Sequence, residues 1–208
     1  VVYDGAQNPR LREETALTDA QGDLSSIVRR ARHGDEGAFA ELVRRFHRHA
    51  FQTAWGVLRS REDAEEVVQD AFVRALTRLP DLRDDGAFPG WLTTLVTRLA
   101  IDRARAERRR PQLARHDPPE PWHQPNPLSA LMIDEALGEL SPEHRAVVLL
   151  RERDGYEYEE IAQIVGIPVG TVKSRLSYAR QALRKTALAA KPPPATTRSN
   201  QQSSDKGD

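Results

Sequence analysis

The 208-residue chain contains no cysteine, a single methionine and only 6% aromatic residues. The lack of thiols excludes a disulfide framework, a thiolate zinc site, an iron–sulfur cluster and a cysteine nucleophile. The six histidines are scattered. His47 and His49 lie two residues apart, so on a helix they point in different directions and cannot make the paired spacing of a zinc hydrolase. Neither metal nor cofactor is expected. No clustered His/Asp/Glu site, phosphate-binding glycine loop or nucleophile elbow is present, so the chain does not read as an enzyme. No apolar run approaches the ~20 residues that cross a bilayer, and no charged-then-apolar signal segment opens the chain. The expectation is a cytoplasmic protein without membrane insertion. Net charge is also missing, with 31 Lys+Arg against 31 Asp+Glu. Nucleic-acid binders are usually basic overall, so this balance argues against a polyanion partner if the charges are evenly mixed.

They are not evenly mixed. Residues 61–70 hold five acids and one arginine, net −4. Residues 98–115 hold seven arginines against Asp102 and Glu107, net +5, and residues 168–185 hold five basic residues and no acid, again +5. One acidic and two basic segments cancel in the total.

Proline divides the chain. Six of the 14 prolines fall between Pro111 and Pro127, and three more run from Pro192 to Pro194. Proline lacks the N–H and clashes with the preceding helical turn, so neither stretch can be helix. The expected organisation is a loose segment 1–22, a helical domain 23–110, a stiff Pro-rich linker 111–128, a second helical domain 129–188 and a polar tail 189–208 with too little apolar content to fold.

Both blocks carry helical periodicity, and the fold class expected is all-α. In the first, Leu24, Ile27, Val28 and Ala31 make a short apolar stripe, and Phe39, Leu42, Val43, Phe46, Ala50, Phe51, Ala54, Trp55 and Leu58 a longer one. Ser60 is placed to cap a third helix, with Glu62 and Asp63 in the first turn where the helix dipole favours anions. Its buried face is expected to carry Ala64, Val67, Val68, Ala71, Phe72, Ala75, Leu76 and Leu79. A loop over Pro80–Pro89 then leads to a helix from about Gly90 to Arg110, burying Trp91, Leu92, Leu95, Val96 and Leu99. In the second block, Leu131, Ile133, Ala136, Leu137 and Leu140 form one amphipathic segment. Ser141, Pro142 and Glu143 read as an N-cap, a proline at the first helical position and an acidic first turn, in a helix that continues through Val147, Val148 and Leu150 to Gly155. A short helix Tyr158–Val165, a turn at Gly166–Pro168 and a final helix from Val169 to about Leu188 follow.

A short helix, a turn with glycine and a basic helix make the helix-turn-helix pattern. The second helix of such a pair offers its N-terminal residues to base edges while arginines hold phosphates. DNA is therefore the expected partner of the helix after Pro168. The arginine run at 98–115 is equally compatible with a solvated helix face. In the acidic helix, dipole compensation explains Glu62 and Asp63 but not Glu66 and Asp70 on later turns, which suit a basic partner surface.

Three stretches now carry a resemblance: DAEEVVQDAFVRA at 63–75, FPGWL at 88–92 running to the arginine cluster at 108–110, and YEEIA at 158–162 with GTVKSRL at 170–176. Together, in this order and across a linker, they resemble the extracytoplasmic-function group of bacterial sigma-70-type transcription initiation factors, over about residues 23–188. The resemblance implies that the acidic helix binds the clamp helices of the RNA polymerase β′ subunit through Glu62, Asp63, Glu66, Gln69, Asp70 and Arg74. It implies that the loop and helix bearing Trp91 melt and read the promoter −10 element, with Arg98, Arg103, Arg105, Arg108 and Arg109 on DNA. The second domain is implied to bind the β flap and to place its recognition helix in the −35 major groove, with Lys173, Ser174 and Ser177 on bases, Arg175 and Arg180 on bases or phosphates, and Thr171 beside them. An anti-sigma factor is the further partner implied. Relatives commonly carry Asn where this chain has Arg98, and arginine cannot make the bidentate adenine contact that Asn can. The alternative reading is a stand-alone helix-turn-helix regulator, which would need neither the acidic helix nor the first basic one.

Overall fold

The computed structural model describes residues 23–109 and 136–189, and every regular element among them is helical. Helix α1 spans residues 23–32. It is followed by α2 (Glu36–Leu58), α3 (Arg61–Arg78) and α4 (Phe88–Arg109). After helical residues 136–138 come α5 (Pro142–Val148), a π-helical turn (Leu149–Arg153), α6 (Tyr158–Val165) and α7 (Val169–Ala189). The expected segment 1–22, the linker 111–128, and Leu131 and Ile133 lie outside the described residues.

Caps explain the boundaries. Asp35 accepts from the Ala38 amide to open α2, and Ser60 accepts from the Asp63 amide to open α3, each satisfying a donor the helix cannot satisfy itself. Between them stands Arg59, the one non-glycine residue at positive φ among those described, at φ 63°. Its amide bonds back to the Trp55 carbonyl, and its guanidinium lies over the Trp55 ring, 5.1 Å from the centroid. This left-handed residue lets α2 reverse into α3 with almost no loop, at a backbone cost of about 1–2 kcal/mol. The proline loop contains two 3₁₀ turns, Leu79–Asp81 and Asp85–Ala87. Helix α4 starts at Phe88, two residues before the expected Gly90, because Pro89 occupies its first turn, where the missing N–H is not needed. At the other end α7 runs to Ala189, one residue into the segment expected to be tail.

Helices α2, α3 and α4 pack around Leu42, Val57, Val68, Phe88, Leu92 and Val96. Trp91 is only half-buried against this cluster, tilted on Phe88 at 5.9 Å. A second cluster, built on Val147, Leu150, Ile161, Val172 and Leu176, joins α5, α6 and α7. The two cores touch: Ala146 of α5 is buried in the first, and Val165 packs on both. One expectation for α3 fails. Leu76 is 55% exposed, as is Val73 at 65%, outside the buried face. At about 100° per residue Leu76 has rotated roughly a quarter-turn beyond the stripe centred on Ala64, Ala71 and Ala75, so an apolar residue one position after Ala75 points outward.

Candidate nucleic-acid interface

The inner side of α7 is apolar: Val172, Leu176 and Ala179 are buried and Leu183 packs beside them. Helical spacing therefore turns Gly170, Lys173, Ser174, Ser177, Gln181 and Arg184 outward together, and all are exposed. Ser174 is tied to its own helix, its hydroxyl donating to the Thr171 carbonyl at 3.0 Å. Lys173 and Arg184 make no ion pair among the described residues. Arg180 lies on the flank and is held by Glu152, at 2.6 Å from its Oε1, and the Glu152 carboxylate and Tyr158 hydroxyl raise its already high pKa. Arg175, half-buried, turns towards α5. There its charge adds to burial in lowering the pKa of His144, whose ring leans on Tyr178 at 4.7 Å.

Helix α6 and the turn before α7 position this face. Glu157 and Glu160 form a reciprocal capping box at the start of α6, and Gly166 closes it at φ 72°. The amides of Gly166 and Ile167 both return to the Ala162 carbonyl, which leaves the carbonyls of Gln163 and Ile164 for a partner.

That partner comes from α4. Arg98 donates from Nη2 to the Gln163 carbonyl at 2.6 Å and from Nε to the Ile164 carbonyl at 2.8 Å. The other arginines of α4 are also engaged within the chain. Arg103 sits 2.6 Å from Asp63 and 2.8 Å from Glu66, with Glu107 at 3.7 Å. Burial disfavours its charge, but the Asp63 hydrogen bond and the surrounding carboxylates outweigh that and raise its pKa. Arg105 and Arg108 reach Glu143 of α5 at 3.3 and 3.4 Å. Burial pushes the Glu143 carboxyl up, yet its own amide, these two arginines and Ser141 hold it below the usual value. Arg109 is exposed at the end of the helix.

On α3, Glu62, Glu66, Gln69 and Val73 line the side opposite the core, with Asp70 and Leu76 flanking them and Arg74 on the margin, all exposed. Asp63, half-buried, faces inward to Arg103. The fold thus brings together Lys173, Ser174 and Ser177 of the expected set on α7, with Arg180 on the flank and Arg175 turned inward, and most of the expected set on α3. Along α4 it divides the expected set among contacts to α3, α5 and α6. Sequence reasoning passed over Val73 and Leu76 on α3, and Tyr178 (59% exposed) with Gln181 and Arg184 on α7. For Gln181 and Arg184 the signal was available, since they continue the Ser174–Ser177 stripe by the i+4 and i+7 rule.

Comparison with known proteins follows the same division. The sigma-70 region 2 family matches residues 42–110, and the sigma-70 region 4 family matches residues 130–183. The chain is 33% identical over 173 residues to the ECF RNA polymerase sigma-E factor of Escherichia coli, an alignment covering 76% of this chain and 90% of that protein. The chain belongs to the extracytoplasmic-function sigma factors. It is also 34% identical over 182 residues to the ECF RNA polymerase sigma factor SigE of Mycolicibacterium smegmatis, covering 82% of this chain and 66% of that one. Among solved structures, CnrH in complex with the cytosolic domain of CnrY superposes with a TM-score of 0.58 at 25% identity, over 81% of this chain and 99% of that one. The sigma factor RpoE of Bartonella quintana, solved with the anti-sigma factor NepR, gives the same TM-score at 23% identity over 74% and 98%, a likeness of fold. Among the described residues no helix of this sigma factor is long and apolar enough to cross a membrane.

Proposed function

We propose that this sigma factor binds core RNA polymerase through the outward side of α3 and directs it to promoters with a −35 element read by α7 and a −10 element melted by α4 and the loop before it. The observation that carries the reading is the sidedness of α3 and α7. Each buries an apolar stripe and turns the opposite side to solvent: acidic with two exposed apolar residues on α3, where Glu66 also reaches Arg103, and basic and hydroxyl-bearing on α7. Glu62, Glu66, Gln69, Asp70 and Arg74 are the proposed contacts to the β′ subunit, with Val73 and Leu76 supplying apolar area; Asp63 acts from behind through Arg103. Thr171, Lys173, Ser174, Arg175, Ser177 and Arg180 serve the −35 element, and Trp91, Arg98, Arg103, Arg105, Arg108 and Arg109 the −10 element.

Helices 23–110 and 129–188 act as two separate DNA-binding modules joined by the linker 111–128, with the second also touching the β subunit. Two weak DNA contacts held on one polymerase gain affinity through effective concentration. A cost of about 1–3 kcal/mol per mismatched base pair then suffices to rank promoters. No catalysis by the chain itself is needed, and the site of action is the cytoplasm. An anti-sigma partner is part of the proposal, in keeping with the complex in which the Bartonella relative was solved. A stand-alone regulator would leave the exposed Val73 and Leu76 beside Glu66 without a purpose.

The test is a pull-down and run-off transcription with core polymerase. Replacing Glu66→Lys with Asp70→Lys should weaken core binding at least about tenfold, equivalent to about 1.4 kcal/mol, and abolish promoter-specific run-off while helicity is unchanged. Unaltered core binding would overturn the assignment of α3.

A further inference from the structure

Arg98 fastens the two halves of the molecule together. Its guanidinium forks onto the last carbonyls of α6, those of Gln163 and Ile164. These groups carry the negative end of the α6 dipole and have no partner within the helix. An uncharged Asn, whose side chain ends three atoms short of the arginine Nη, could not span that gap or supply the charge. Around it the same junction is closed by Arg105 and Arg108 on Glu143. On its far side Arg153 donates to the Gln52 carbonyl and to the buried Thr53 hydroxyl, both at 3.0 Å. Asp154 grips the same guanidinium at 2.7 and 2.8 Å. Gly56 marks where a side chain of the second half seats on α2: a Cβ there would lie 2.6 Å from Cδ1 of Leu149. Gly56 lies in the last turn of α2, two residues before its end at Leu58, and at this position it admits the neighbouring half.

We propose that Arg98 is an interdomain latch that holds the free chain closed, with α5 and α6 over the side of α4 assigned above to the −10 element, and that engaging polymerase requires its release. The consequence for function rests on the reading of α3 and α4 given above; the latch itself does not. Closing this way places Arg98, Arg105 and Arg108 in internal contacts, so the free factor has these three members of its −10 set engaged while the outward side of α7 stays open. Because polymerase must seat α3 at the β′ subunit and the second half at the β subunit, a closed majority lowers the apparent affinity for engaging both by the fraction of open molecules.

The absence of cysteine allows a direct test on the full chain. Dyes on Ala40→Cys and Glu159→Cys, exposed on α2 and α6, report the distance between halves by energy transfer. The free chain should give a single high-transfer population. Arg98→Ala should shift the closed-to-open ratio about tenfold towards open, and Arg98→Lys, which keeps the charge but loses the fork, should fall between. Gly56→Gln is the second opener, remote from Arg98: Leu149 can swing aside for a methyl group but not for a longer side chain. Both Arg98→Ala and Gly56→Gln should also bind core polymerase several-fold more tightly, and polymerase should itself lower the transfer of the unmodified chain. If Arg98→Ala leaves the transfer unchanged, the latch is overturned, whatever polymerase does. If both variants open yet bind polymerase no better, the gating role is overturned and Arg98 is only a join. Opening in a chain that binds no polymerase at all would uphold the latch and sink the reading of α3 instead.

Discussion

Helices α4 and α7 belong to segments of equal formal charge, yet the fold treats them in opposite ways. In α4 four arginines are spent inside the molecule, on Asp63 and Glu66 of α3, on Glu143 of α5 and on the end of α6. In α7 only the flanking Arg180 has a carboxylate, Glu152, and Lys173 and Arg184 make no ion pair among the described residues. The difference follows from what each helix packs on. Helix α4 lies between α2, α3 and the second half, and its basic residues alternate with a buried stripe that runs nearly its whole length. Helix α7 is packed on one side only. Local charge density therefore measures charge left open to solvent on α7, whereas on α4 it measures ties made within the molecule.

The largest expected effect tests the sidedness of α7 at two adjacent positions. Leu176 is fully buried among Ile161, Val172 and Ala179, so Leu176→Ala should destabilise the second half by about 2–5 kcal/mol. Ser177→Ala, one residue on and fully outward, should leave stability within about 0.5 kcal/mol while weakening binding to a −35 duplex. Urea unfolding and fluorescence anisotropy on the same two proteins measure both quantities. Equal stability losses at the two positions would break the contrast between the faces.

A smaller effect separates the two helices directly. Arg103→Ala removes a half-exposed arginine from three carboxylates and should cost about 1 kcal/mol of stability, near the upper end for an exposed pair and reduced by salt. Lys173→Ala should change stability little but lower the dependence of DNA affinity on salt by about one counterion. If Arg103→Ala were silent in unfolding and Lys173→Ala were not, the assignment of internal and external charge would have to be reversed.

Most helices were legible from the sequence because their signals are local: the Ser60 and Ser141 caps, Pro142 at a first helical position, Gly166 before the last helix. Leu76 was misplaced because a list of apolar residues at i+3 and i+4 drifts around a helix, and nothing local marks where the buried arc ends. The face of α7 could be read because it needs only its own periodicity. The engagement of α4 could not, since Arg98 and the carbonyl of Ile164, or Arg103 and Asp63, meet only after the chain folds, 66 and 40 residues apart. Backbone carbonyls at a helix end leave no mark on composition at all. Gly56 was a usable hint, a lone glycine inside a strong helical pattern, which often signals a close approach.

The smallest effect concerns one histidine in each half. His49 is half-buried near the junction, its Nε2 3.1 Å from the Thr93 hydroxyl. That hydroxyl already donates to the Pro89 carbonyl, so Nε2 must carry the hydrogen. Burial lowers the His49 pKa, with Arg153 adding to the shift and Asp154 opposing it. Burial also lowers that of His144, together with Arg175 and against Glu143. Both imidazoles thus bind protons more weakly in the folded chain than at their ordinary value of 6.5. Their contribution to stability is fully present above that value and is lost as pH falls through and below it, because the unfolded chain takes up the protons first. Imidazole proton resonances should titrate below pH 6.5 at both positions, and His49→Gln should remove part of the acid-side loss measured by urea unfolding. Because His49 faces Arg153 and Asp154 across the junction, His49→Gln should also flatten the pH dependence of the energy transfer between halves, whereas His144→Gln, lodged between α5 and α7, should leave it unchanged. An equal response to both substitutions would mean that the junction has no titration of its own and that acid loosens the two halves alike.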